Sequence, residues 1–132
     1  VKEKIMSTLK AFNTPKGPPA FGPFSHAKMN DSLLFTTGQL GIDPASGNIV
    51  PGGVEAETRQ VFKNLIAILE EAGLGLDSIL KATIYLTDMK DFEKVNEIYA
   101  GYFTGDYPAR SCIGVSSLAK GGVVEIELIC AR

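Results

Sequence analysis

A single two-layer α+β domain, with two helices packed on one face of a β-sheet, is the fold this sequence predicts. Three observations predict it. Apolar residues recur at helical spacing in two segments, from Val54 to Ala72 and from Phe92 to Phe103. Two-residue alternation marks strands around them, most cleanly from Val123 to Cys130, with Val123, Glu125, Glu127 and Ile129 on one face and Val124, Ile126, Leu128 and Cys130 on the other. At 132 residues, the chain suits one domain burying roughly two-thirds of its unfolded surface. Two helices cannot cover both faces of such a sheet, so they share one.

Taken in order, Lys2 to Asn13 reads as an N-terminal extension with a first strand, closed by the breaker run Thr14-Pro15-Lys16-Gly17-Pro18-Pro19. Phe24 to Met29 and Leu33 to Gly38 read as strands joined by an Asn30-Asp31-Ser32 turn. Gly41 to Gly53, rich in Gly, Pro and Asp, reads as a surface loop. The first helix carries Val54, Thr58, Val61, Leu65, Ile68 and Ala72 on one stripe, with Glu55 and Glu57 near its positive end and Gly73 as its stop. Leu80 to Thr87 alternates as a strand. Asp88 or Asp91 suits the cap of a second helix with the stripe Phe92, Val95, Tyr99 and Phe103. Gly105-Asp106 ends it, and two strands complete the chain. The face away from the helices should carry Lys81, Thr83, Tyr85, Arg110, Cys112, Glu125 and Glu127, either wet or covered by another subunit.

Composition narrows the function classes. Thirteen Lys and Arg against fifteen Asp and Glu give a net charge of −2, which argues against a nucleic-acid binder. No segment approaches the ~20 apolar residues that span a bilayer, and no apolar run near Val1 suggests a secretory signal, so a cytoplasmic location is expected. Cys112 and Cys130 fall on opposite faces of the proposed last strand pair and are expected to be reduced. With one histidine and two separated cysteines, no metal site is expected. Gly73-Leu74-Gly75 lacks the rest of a dinucleotide fingerprint, and no cofactor is expected.

Chemistry concentrates near the C-terminus. Arg110 follows Tyr107-Pro108-Ala109 at the start of a strand. Its guanidinium could clamp a carboxylate through two parallel hydrogen bonds, or it could close a structural salt bridge with Glu125 or Glu127. Either glutamate, if part-buried, has its pKa raised into a range useful for proton transfer; otherwise both are solvated strand residues. If the last two strands form a hairpin turning near Lys120, Arg110 and Glu125 stand about 13–17 Å apart. They could then share a small ligand only across a subunit boundary. Thr37 and Gly38 end a strand where backbone could approach a ligand, or simply terminate it. Asn96 lies near the second helix stripe. Cys112 reads as inert, and His26 as a surface or edge residue.

Together these pieces resemble the YjgF or RidA family of imine deaminases. The matching segments are Gly22-Pro23-Phe24, Phe35-Thr36-Thr37-Gly38-Gln39, Asp91-Phe92 with Val95-Asn96, Pro108-Ala109-Arg110-Ser111-Cys112 and Val124-Glu125-Ile126-Glu127, in family order from about Thr14 to Arg132. The resemblance implies a chorismate-mutase-like domain assembled as a homotrimer around a central barrel, with clefts between subunits. It implies hydrolysis of 2-imino acids or enamines, such as 2-iminobutanoate and 2-iminopropanoate, to 2-oxo acids and ammonia. Such imines are released by pyridoxal-phosphate dehydratases. On this chain Arg110 would hold the substrate carboxylate and Glu125 would position water. Phe24, Thr37, Gly38, Asn96 and Cys112 would line the cleft. Phe24 stands where many members carry tyrosine, and Thr37 where serine is frequent.

Two other readings carry different expectations. A non-catalytic trimer would bind 2-oxo acids or a protein partner in the same cleft without turnover. An endoribonuclease or translation inhibitor, an activity ascribed to some relatives, would need an attraction for phosphates that the acidic balance does not favour.

Overall fold

The computed structural model of the chain describes residues 8–132. Most of the predicted first strand therefore lies outside the described residues, and its end is β1 (Lys10–Phe12). There follow β2 (Ala27–Met29), β3 (Leu33–Thr36), β4 (Gln39–Leu40), α1 (Gly53–Glu71), β5 (Ile79–Leu86), α2 (Phe92–Ala100), β6 (Ala109–Gly114) and β7 (Val124–Ala131). Asn30 makes the β2–β3 turn: its Oδ1 accepts from the backbone N–H of Ser32 at 2.9 Å and of Leu33 at 2.8 Å. The helix stop is where the sequence puts it, with Gly73 at φ 74° after α1. Asp88 caps the short helical turn Met89–Asp91 that leads into α2, accepting from the Lys90 N–H at 2.9 Å, and Asp91, directly before α2, makes no side-chain cap bond.

All the strands belong to one sheet, ordered β1-β2-β3-β7-β5-β6, with β4 continuing the β3 edge of β7. The expected hairpin between the last two strands is not formed. β5 lies between them, antiparallel to β7 and parallel to β6. A parallel pair needs a crossover, and α2 provides it. The sequence shows two alternating segments joined by a short connection and cannot show that an earlier strand takes the place between them.

This insertion decides which face each side chain occupies. Ala82, Ile84 and Leu86 of β5 are fully buried under the helices, beside Val124, Ile126, Leu128 and Cys130 of β7. Their partners across the β5–β6 ladder are Arg110 (opposite Ala82) and Cys112 (opposite Ile84), which therefore project to the helix side. Arg110 and Cys112 were expected on the other face. Cys112 and Cys130 likewise share the helix side and are both free thiols. The open face keeps Lys81, Thr83 and Tyr85 of β5, Glu125, Glu127 and Ile129 of β7, and the exposed Phe35 and Ile113.

Val61, Leu65, Ile68 and Leu69 of α1 pack on the sheet, and Phe62 stacks on Tyr102 at 4.0 Å between centroids. Each such side chain removed from water contributes about 1.5–3 kcal/mol.

Buried polar groups hold the irregular segments. His26 is only 3% exposed, not a surface residue as expected. Its Nδ1 accepts from the Thr14 N–H at 3.1 Å, which leaves Nε2–H to donate to the Pro18 carbonyl at 2.7 Å. Asn64 Nδ2 donates to the carbonyls of Leu40 and Ile42, at 3.2 and 2.9 Å. Ile42 is itself buried and bridges to Ile49, so the 41–53 stretch is less superficial than a surface loop. Glu57, 5% exposed, accepts from the Val123 N–H at 2.9 Å.

Burial raises the Glu57 carboxyl above its ordinary range, against the smaller downward pull of the Val123 hydrogen bond. A raised folded pKa means the folded chain holds this proton more tightly than the unfolded chain. The associated stability is full below the unfolded value near 4.5 and is lost as pH rises through the folded value. Glu57→Gln keeps an acceptor for Val123 and removes the charge. Thermal unfolding should show it more stable than wild type at pH 7.5, with the difference closing toward pH 4.

Candidate active site

Arg110 stands on β6, an edge strand of the sheet, under the first two turns of α2. Its Nη2 donates to Asn96 Oδ1 at 2.6 Å. The guanidinium carbon lies 4.9 Å from the Tyr99 ring centroid and 5.6 Å from that of Phe92, both within cation–π range. The partner is a neutral amide and not a glutamate, so the structural salt bridge is not made among the described residues. One hydrogen bond to Asn96 leaves most of the five N–H donors for a ligand. Beside them opens a cavity of about 250 Å³ lined by Asn96, Tyr99, Ala100, Tyr107, Pro108 and Arg110.

Thr37 and Gly38 form the break between β3 and β4, where the chain leaves the β7 ladder and rejoins it at Gln39. Two hydrogen bonds hold the break: Leu128 N–H donates to the Thr36 hydroxyl at 2.9 Å, and Thr37 N–H to the His26 carbonyl at 2.9 Å. Gly38 lies against Glu125. A Cβ at position 38 would run into Glu125 Oε2 and come within 2.8 Å of its carboxyl carbon. Burial, and secondarily the Glu127 charge, raise the Glu125 carboxyl above its ordinary range. Next to it the Tyr85 hydroxyl donates to Glu127 Oε1. That bond first, then burial and the charges of Glu127 and Glu125, push the Tyr85 phenol up to about 12.

Two clusters result. Arg110, Asn96 and Cys112 meet on the helix side; Gly38, Glu125, Glu127 and Tyr85 meet on the open side, next to Thr37. Burial pushes the Cys112 thiol above its ordinary value, against a smaller pull from Arg110, so it is no activated nucleophile. Phe24 is half-exposed and meets Phe21 edge-on at 5.5 Å. Sequence reasoning assigned Tyr99 to the helix stripe and overlooked its contact with Arg110. The signal was available: Phe92, Asn96 and Tyr99 fall at i, i+4 and i+7, one face of a helix. Tyr85 pairing with Glu127 depends on β5 lying beside β7, for which no such signal exists.

The fold and this arrangement define a small α+β domain with an arginine–asparagine site. Residues 14–132 match the family described as Endoribonuclease L-PSP, and the chain belongs to that family, the YjgF/RidA group. It is 46% identical over 129 residues to the Bos taurus 2-iminobutanoate/2-iminopropanoate deaminase, covering 96% of this chain and 94% of that protein. A RutC family protein of Pyrococcus horikoshii is 47% identical over 119 residues, covering 90% and 94%. Among solved structures, a Rid family protein of Yersinia pestis aligns with a TM-score of 0.91 at 42% identity, covering 94% of this chain and 99% of that one. E. coli TdcF, crystallised with bound serine, aligns with a TM-score of 0.89 at 37% identity, covering 93% and 98%.

The contact between Gly38 and Glu125 is directly testable. In Gly38→Ala the new methyl meets the end of a flexible side chain, so unfolding free energy should stay within ~1 kcal/mol of wild type. A crystal structure should show the Glu125 carboxylate swung away from residue 38. An unmoved carboxylate would contradict the packing described.

Proposed function

We propose that this protein hydrolyses 2-imino acids and their enamine tautomers to 2-oxo acids and ammonia. The observation that carries the reading is the Arg110 guanidinium, fixed by Asn96 and two aromatic faces, without a carboxylate partner among the described residues. Such a group suits a small molecule that brings its own carboxylate. The deaminase names of relatives 43–46% identical support the same reading.

The chemistry asks little of the protein, because an imine carbon is already electrophilic. Arg110 holds the carboxylate and fixes where that carbon sits, which supplies much of the advantage of a bound reaction. Glu125, with its carboxyl raised by burial, accepts a proton from the attacking water as the C–O bond forms. That proton passes to nitrogen to give a carbinolamine; the new hydroxyl then gives up its own proton to nitrogen, again by way of Glu125, the C–N bond breaks, and ammonia leaves as the carbonyl forms. Gly38 gives Glu125 its space, and Thr37 and Phe24 border the same approach. Cys112 contributes backbone and bulk.

In this reading Glu125 acts on substrate held by Arg110 of a neighbouring copy, in a homotrimer whose shared core covers the open sheet face. Support comes from the opposite projection of the two side chains and from Phe35 and Ile113, 47% and 46% exposed on that face. The net charge of −2 favours a small acid over RNA as ligand.

A purified threonine dehydratase should release 2-oxobutanoate faster when this protein is added. Arg110→Ala should remove that gain by at least about 100-fold, since a charge-assisted bidentate contact is lost. Glu125→Gln should lower turnover while leaving 2-oxobutanoate binding nearly intact. No acceleration of any 2-imino acid by wild type would refute the proposal.

A further inference from the structure

Tyr99 is the most constrained side chain around Arg110. Its ring meets Phe62 at 5.8 Å and 67°, and Phe103 at 4.9 Å and 42°, so neighbours on two sides fix its plane. Its hydroxyl is buried without a hydrogen-bond partner among the described residues, which costs free energy because a polar group leaves water unpaired. The residue as a whole is 4% exposed. A phenylalanine would avoid that cost, so in this state the hydroxyl does not stabilise the fold. What the ring does provide is a face, with the Arg110 guanidinium 4.9 Å from its centroid.

The contacts on Arg110 divide the work geometrically. Asn96 fixes the guanidinium along its own plane, through Nη2. A hydrogen bond of that kind leaves the plane free to tilt about the bond. The Tyr99 face, assisted by Phe92 at the longer distance of 5.6 Å, limits the tilt. Arginine has many rotamers, and ordering it beforehand reduces what a ligand must offset on binding.

We propose that Tyr99 is a positioning residue for the Arg110 carboxylate clamp, acting through the face of its ring and not through its hydroxyl. This rests on the reading of Arg110 as the group that holds the substrate carboxylate. It predicts different consequences for two substitutions at one position. Tyr99→Phe keeps the face and removes the unpartnered hydroxyl. Tyr99→Leu keeps apolar bulk and removes the face.

The test is titration calorimetry with 2-oxobutanoate, together with turnover of imine in the dehydratase-coupled assay, on wild type and both variants. Tyr99→Phe should bind 2-oxobutanoate within twofold of wild type and melt no lower. Tyr99→Leu should bind about three- to tenfold more weakly, with turnover at saturating imine within about twofold of wild type. A loss of affinity in Tyr99→Phe would show that the hydroxyl matters and overturn the proposal, even if Tyr99→Leu failed to fold. So would unchanged affinity in Tyr99→Leu, or a wild type that does not bind 2-oxobutanoate at all. If wild type binds it in this pattern but turns over no imine, the deaminase reading falls and the role of Tyr99 stands.

Discussion

The position of β5 between β6 and β7 is the constraint on which the chemistry of this molecule depends. Because β5 pairs parallel with β6 and antiparallel with β7, Arg110 rises on the helix side and Glu125 on the open side of one sheet. Were they neighbours on one face, the guanidinium would neutralise the carboxylate and pull its pKa down. Apart, each keeps the property it would use. Arg110 stays a cation with a neutral partner, and burial raises the Glu125 carboxyl. The separation that prevents an internal ion pair is also why the proposed reaction calls on a second copy of the chain.

Positioning of both clusters relies on backbone that belongs to no regular element. Irregular segments carry donors and acceptors that strands and helices would otherwise pair, and buried ones need partners from side chains. His26 supplies them for Thr14 and Pro18, Asn64 for Ile42 and for Leu40 at the end of β4, and Glu57 for Val123, while Thr36 serves Leu128 within β7. The last of these lies at the strand break that lets Gly38 press against Glu125. Polar side chains of α1 and β3, with His26 just before β2, thus hold the backbone around a site whose conspicuous members lie elsewhere.

Periodicity made most of the elements legible. Both helices, the β2–β3 turn at Asn30 and the alternation of β7 follow from local spacing, which depends only on nearby residues. The faces of Arg110 and Cys112 were not legible, because a residue's face is defined relative to its neighbour in the sheet, and here that neighbour precedes them by a whole helix. The burial of His26 escaped for a related reason. Its partners lie eight and twelve residues away, in a run whose Pro and Gly content signals only irregularity. Glu57 reads as a residue suited to the helix dipole, and nothing local shows that the start of β7 descends onto it. Arg110, Glu125, Gly38 and Asn96 stand out as candidates by residue type and position, and motif resemblance joins them in one expected cleft, whereas the grouping of Asn96 with Tyr99 could have been read from helical spacing.

Glu125 and Glu127 illustrate how one strand can give two like groups different uses. They lie two residues apart on the same face, so the charge of Glu127 bears on Glu125. Tyr85 resolves the pair by donating to Glu127 alone, so that this carboxylate has a donor suited to its charged form. Glu125 has no such donor among the described residues, and Gly38 leaves it room without offering a side chain. Its environment therefore raises its proton affinity, which in the proposed reaction makes it the better proton acceptor of the two. A single phenol on the neighbouring strand thus separates the two environments, and the proposed division of one glutamate to chemistry and the other to structure rests on it.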